Sequence, residues 1–260
     1  MAAGRNKKKR RRGRGLLASV LKLLCALAVV GALTVGATVF FQVETVAVTG
    51  NTRYAQEDVV AASGVQPGDN LFRLNKTDIR RQIEEKLPYV ETVELSRSLP
   101  STLVIAVQEC AAAAEVEGTG QNWLISQTGK LLEKSAGNAG VLTVTGLVPL
   151  VPREGTYLAV ELEEQNRLDG LLAFLQAVEQ LEMSGEVSRV SLTSTRLLLR
   201  YRERYDVKLP LTCDFAYKLE LLQAAANEQE KRMGSAIFGA FDLTREDFSA
   251  IYTPAEKKSE

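Results

Sequence analysis

Apolar and polar positions divide this chain into three stretches of different period. Residues 23–41, LLCALAVVGALTVGATVFF, form an apolar run with no charged side chain. At about 1.5 Å rise per residue the run makes a helix about 28 Å long, close to the roughly 30 Å hydrocarbon core of a bilayer. The pattern predicts one membrane-spanning helix over residues 16–41. Lys22 stands just before the apolar run, where its long side chain reaches back to the headgroups.

Beyond residue 42 the period shortens. Residues 43–49, VETVAVT, alternate as a strand and close on a Gly50-Asn51 turn. A short helical pattern over Gln56–Ala62 stops at Gly64. Ile79, Ile83 and Leu87 then recur at helical spacing, behind a capping Asn75 and with Asp78 at the positive end of the dipole; Pro88 ends that helix. Val90–Ser96 and Thr102–Gln108 read as strands joined across Arg97-Ser98-Leu99-Pro100. The order β-α-α-β-β predicts a compact domain over residues 43–110, with its helices on one face of a small sheet.

A second, sheet-rich domain is expected over residues 111–250. Trp123–Ser126 and Lys130–Glu133 flank Gln127-Thr128-Gly129 as a hairpin, with Gly129 where positive φ is needed. VLTVTGLVPLV is a strand broken by Gly146 and Pro149. Leu168, Leu171, Leu172, Leu175, Val178 and Leu181 keep helical spacing within residues 160–183. Strands follow at 187–192, 196–202 and 205–211, then a helix near 214–230 and a last strand around Ile237–Leu243. Residues 251–260 read as a disordered tail. The fold class is α+β: one N-terminal transmembrane helix and two external domains.

Charge gives the helix a direction. The whole chain balances at 32 basic and 32 acidic residues. Residues 1–15 nevertheless carry Arg5, Lys7, Lys8, Lys9, Arg10, Arg11, Arg12 and Arg14 and no acid, and acids outnumber bases from Glu44 onward. Basic flanks stay cytoplasmic, so residues 1–15 form a cytoplasmic tail and the bulk lies outside. The run ends in Val39-Phe40-Phe41, unlike a signal-peptide cleavage site, and an uncleaved anchor is expected. The basic run reads as a topology signal with affinity for anionic lipid, rather than as a nucleic-acid site.

The chain has no histidine and three cysteines. That removes Ser-His and Cys-His nucleophile pairs and the commonest zinc ligand, and no phosphate loop or Cys-x-x-Cys pair occurs. Cys110 and Cys213 read either as two small buried thiols or as one disulfide. Asp58, Glu109, Asp214 and Asp242 are the carboxylates to weigh for hydrolysis, but their spacing sets no two across a cleft. No enzymatic activity and no cofactor are expected. The last strand, Ile237, Phe238, Gly239, Ala240, Phe241, Asp242 and Leu243, has no strand after it in this reading. It is expected to be a sheet edge that an extended partner can cover.

The strings VETVAVTGNTRYAQEDVV, GDNLFRLN and LPYVETVELSRSLPSTLVIAVQE, in this order after a single basic-flanked membrane helix, resemble the POTRA domain of the FtsQ/DivIB cell-division proteins. Gly239-Ala240-Phe241-Asp242-Leu243-Thr244 is similar to the closing segment of that family's second domain, with Thr244 where Arg is usual. Cys110 follows Glu109 where the family often has Arg, and Leu99 stands where many members have Trp. The resemblance implies a non-enzymatic divisome scaffold in the plasma membrane at the septum. It would bind FtsL-like and FtsB/DivIC-like proteins and help recruit or regulate the septal peptidoglycan synthase. The turn Arg97, Ser98, Leu99 and Pro100 is a second candidate contact. The rival reading is an anchored sensor of a cell-wall fragment or precursor.

Overall fold

The computed structural model describes residues 12–137, 139–234, 238–245 and 250–254. Helix α1 (Arg12–Phe40) is continuous. Lys7, Lys8, Lys9, Arg10 and Arg11 lie outside the described residues, and Arg12 and Arg14 are placed only as helix backbone. Among the described residues no helix is long and apolar enough to cross a membrane.

The first domain follows its sequence pattern closely. Strand β1 (Thr45–Thr49), helices α2 (Gln56–Ser63) and α3 (Lys76–Lys86), and strands β2 (Val90–Ser98) and β3 (Thr102–Glu109) form a sheet of order β1-β3-β2. β3 runs parallel to β1 and antiparallel to β2. Alternation along β3 turns Leu103, Ile105 and Val107 inward, where Val59 of α2 and Ile79 and Ile83 of α3 close the core. Asn75 caps α3 as expected, its side chain accepting from the Thr77 N–H at 3.1 Å. Gly50 has φ +82°, and a Cβ there would lie 2.1 Å from the Val107 carbonyl oxygen, so only glycine fits the turn after β1.

The second sheet has nine strands: β4 (Ala114–Glu117), β5 (Asn122–Ile125), β6 (Leu131–Ser135), β7 (Leu142–Thr145), β8 (Val187–Leu192), β9 (Arg196–Tyr201), β10 (Tyr205–Pro210), β11 (Gly239–Asp242) and β12 (Ile251–Pro254). Their order is β12-β11-β10-β9-β8-β7-β4-β5-β6. The parallel pairs β7/β8 and β10/β11 are joined through helices α4 (Gln165–Gln180) and α5 (Phe215–Met233) respectively, as parallel pairing requires. Leu171, Phe174 and Leu175 of α4 meet Phe215, Leu219 and Leu222 of α5 in one core, with the Phe174 and Phe215 rings edge to face at 5.7 Å.

Two strands depart from expectation. β4 is only four residues, with the buried Glu115 at its centre breaking the apolar pattern; Glu115 Oε1 accepts from Asn122 Nδ2 at 2.8 Å. β12 occupies residues 251–254, within the expected disordered tail; residues 255–260 lie outside the described residues. Cys110 and Cys213 are free thiols, so the disulfide alternative does not hold.

The domains meet in a polar junction. Tyr89 packs with Leu124 and Leu132, and its hydroxyl donates to Glu133 Oε1 at 2.7 Å. Lys130, only 1% exposed, donates through Nζ to the Val90 carbonyl. Thr128 Oγ1 donates to Glu91 Oε1. At Gly155 (φ +78°) a Cβ would lie 2.5 Å from the Glu85 carbonyl oxygen at the end of α3.

Candidate partner-binding surface

An open sheet can recruit a strand only where its edge is bare. On the first sheet, Gln56 Nε2 donates to the Val46 carbonyl of β1 at 3.3 Å. Lys76 Nζ and Arg80 Nε donate to the Leu95 and Val93 carbonyls of β2 at 2.7 and 2.9 Å. On the second sheet, β6 is flanked by residues 155–157: the Leu131 N–H donates to the Thr156 carbonyl and the Gly155 N–H to the Leu131 carbonyl, both at 2.8 Å. The remaining edge is β12, which among the described residues pairs only with β11.

This corrects the edge expected at Ile237–Leu243. β11 is enclosed between β10 and β12, and Ile237 lies outside the described residues. The sequence around Ile251 is too short and polar to announce a strand, yet Tyr252 secures one. Its ring lies 5.1 Å from Phe241, and its hydroxyl donates to the Phe238 carbonyl at 3.1 Å. Phe241 is buried between Tyr205 and Tyr252, whereas Phe238 remains 53% exposed. Gly239 is required here, because a Cβ would come 2.4 Å from the Tyr252 ring. Asp242 accepts from the Thr244 N–H and hydroxyl at 2.9 and 2.6 Å, which hold its carboxyl below the usual range. Ala240 stands opposite Thr253, and Leu243 continues toward β10.

Backbone alternation identifies which groups of β12 face away from β11. The Gly239 and Leu243 N–H groups point to Arg204 and Lys208 of the β10 side. Ala240 and Asp242 therefore face β12, where they oppose Thr253 and Ile251. Thr253 and Ile251 are thus used inward, and Tyr252 turns its N–H and C=O outward. Pro254 also faces outward, so the N–H it lacks is one the ladder does not need.

The four carboxylates weighed for catalysis serve the backbone and stand apart. Asp58 Oδ2 accepts from the Ala55 N–H at 3.3 Å, and Asp214 caps α5 by accepting from the Tyr217 N–H at 3.1 Å. Glu109 accepts from Thr52 Oγ1 and from the Thr52, Arg53 and Tyr54 N–H groups at 3.1, 2.8 and 3.2 Å. Burial would raise the Glu109 carboxyl, but these hydrogen bonds outweigh it and hold it below its ordinary 4.5. A depressed acid contributes stability that is complete above the unfolded value and is lost as pH falls through the folded one. Glu109→Gln should therefore destabilise the first domain at pH 7 by about 1 kcal/mol, given the solvent at the site. Urea unfolding at a series of pH values should show that difference shrinking below about pH 4.

One cleft between the domains, about 510 Å³, has Glu91, Glu109, Cys110 and Glu179 in its lining, and a second, about 270 Å³, has Arg81, Glu84, Glu85, Lys130 and Tyr157. Among the described residues no group of side chains is arranged to hold a metal ion. The turn at Arg97–Pro100 lies at the opposite end of the first domain, beside the end of α1: the Glu44 N–H donates to the Ser101 carbonyl at 2.9 Å.

Residues 41–109 match the FtsQ-type POTRA domain family. The cell division protein FtsQ of Corynebacterium glutamicum is 32% identical over 105 residues, which cover 40% of this chain and 47% of that protein. The cell division protein DivIB of Clostridium botulinum is 33% identical over 95 residues, 36% of this chain and 37% of that protein. The matched stretch thus spans less than half the length of these relatives. The extracytoplasmic domain of DivIB from Geobacillus stearothermophilus aligns at 15% identity with a TM-score of 0.32, covering 48% of this chain and 98% of that chain, too distant a likeness to carry an argument. Residues 41–109 thus match the FtsQ-type POTRA domain, and the stretch that contains them is similar to part of the FtsQ and DivIB cell-division proteins.

Proposed function

We propose that this protein is a non-enzymatic scaffold of the division septum, anchored in the plasma membrane by α1 with its basic N-terminus in the cytoplasm. The membrane reading rests on the continuous apolar run 23–41 and its one-sided basic flank. The two external domains then form a rigid arm through the Lys130 and Tyr89 junction. The observation that carries the function is the edge of β12, which among the described residues pairs only with β11, whereas side chains or a loop bond to the other edges. An extended segment of an FtsL-like or FtsB/DivIC-like protein would add a strand there, against Tyr252, with the exposed Phe238 at the adjoining end of β11. Through those proteins the scaffold would help recruit or regulate the septal peptidoglycan synthase.

The rival role as a sensor of wall fragments or lipid-linked precursors is less well supported. Glu91, Glu109 and Glu179 in the lining of the 510 Å³ cleft disfavour anionic precursors there. The scaffold reading is tested by immobilising residues 44–260 and offering the extracytoplasmic segments of the cell's FtsL-like and FtsB/DivIC-like proteins. Retention of at least one is expected, and failure to retain either overturns the reading.

A further inference from the structure

Three segments of the POTRA domain converge where α1 joins it. The Val43 N–H donates to the Asp69 carbonyl at 2.7 Å, and the Leu71 N–H to the Phe41 carbonyl at 2.9 Å. The turn before β3 closes the third side through the bond from Glu44 to Ser101. Phe72 and Leu99 project from this end, 54% and 59% exposed. Among the described residues of 43–110 they are the only large apolar side chains left exposed, and both stand at the end that carries the helix.

Aromatic contacts make this end continuous with α1. The Phe40 and Phe41 rings lie 5.2 Å apart, and the Phe41 and Phe72 rings 5.0 Å apart, each pair edge to face. Arg97 lies over the Phe72 ring at 5.4 Å while its Nε donates to the Leu71 carbonyl at 2.6 Å, and Arg73 is exposed beside it. The two acids at this end are engaged: Glu44 Oε2 accepts from Ser101 Oγ, and Asp69 Oδ2 from the Gln66 N–H, both at 2.9 Å. Aromatic rings backed by arginine are the composition that settles at the boundary between acyl chains and headgroups. The groove beside it, about 510 Å³ and lined by Gln42, Asp69, Asn70 and Arg73 among others, is largely polar and includes neither Phe72 nor Leu99.

We propose that Phe72, Leu99 and Arg97 dock this end of the POTRA domain into the headgroup layer of the outer leaflet, so that lipid sets the tilt of the external arm. The inference rests on α1 spanning the bilayer. It is tested with the full chain reconstituted in vesicles of phosphatidylcholine and phosphatidylglycerol. Single added tryptophans come from Phe72→Trp or Leu99→Trp, with Leu27→Trp as a reference inside the helix and Leu162→Trp, at an 87% exposed position, as a water reference. The parent signal of Trp123 is subtracted. At positions 72 and 99 the expected result is quenching by lipids brominated high on the acyl chain, with loss of quenching by aqueous iodide. Position 162 should show the reverse. If position 27 is quenched by deeply brominated lipid while 72 and 99 behave like 162, the docking is overturned and the surface is left to a protein. If no lipid quenches position 27, the membrane span itself fails, and the docking with it.

Discussion

A chain carrying Thr253→Pro is expected to fold and yet lose its partner. Thr253 uses its N–H inward, opposite Ala240, so proline removes a bond that holds β12 to β11 and detaches the edge. β12 is the outermost strand, so the other eight keep their pairing, while Phe241 loses the cover of the Tyr252 ring. Capture of the FtsL-like or FtsB/DivIC-like segment should weaken at least about tenfold, or ~1.4 kcal/mol. Circular dichroism should remain close to that of the parent, with a lower thermal midpoint but a cooperative transition. A folded variant that binds with undiminished affinity would remove β12 from the account while leaving the family relationship in place.

Lys130→Ala is expected to have the largest effect on stability. Its ammonium is buried between the domains, where burial lowers its pKa and the nearby carboxylate of Glu91 works the other way. Removing it leaves the Val90 carbonyl without its donor and the neighbouring carboxylate without a cation. Losing a buried hydrogen bond from a charged donor costs roughly 1.5–3 kcal/mol. Because the contact joins the POTRA domain to the second sheet, urea unfolding should separate into two transitions where the parent shows one. Trp123, in the core of the second domain, reports one of them. A variant that unfolds in a single transition at the parent's midpoint would mean that the junction is held by the Tyr89 cluster alone.

The first domain was legible because each of its elements has a local signal: alternation in β1 and β3, Asn75 before α3, and a glycine at 50 that sterics make obligatory. The second domain was legible where strands and helices are long enough to show a period, as in α4, β8, β9 and β10. β4 and β12 were not. β5, β7 and β11 are equally short but lie in apolar runs or beside a glycine turn, whereas β4 and β12 have neither signal and depend on distant contacts, Glu115 with Asn122 and Tyr252 with Phe241. That second omission moved the expected binding edge by one strand. The sequence leaves Phe241 open between an edge contact and the core, and β12 covers it and makes it core. Lys130 carried no signal at all, since a lone lysine in a hairpin turn reads as solvated until the other domain is seen to bury it.

The most direct measurement of the central claim is amide hydrogen exchange at Tyr252, in the external domains alone and with the bound partner segment. Its N–H faces away from β11, so in the free protein it should exchange quickly, while the inward amides of Ile251 and Thr253 exchange more slowly. Addition of a partner strand should slow the Tyr252 amide to the rate of its neighbours. A partner that binds while that amide still exchanges at its free rate would contradict the account, because it would be held somewhere other than the open edge of the sheet.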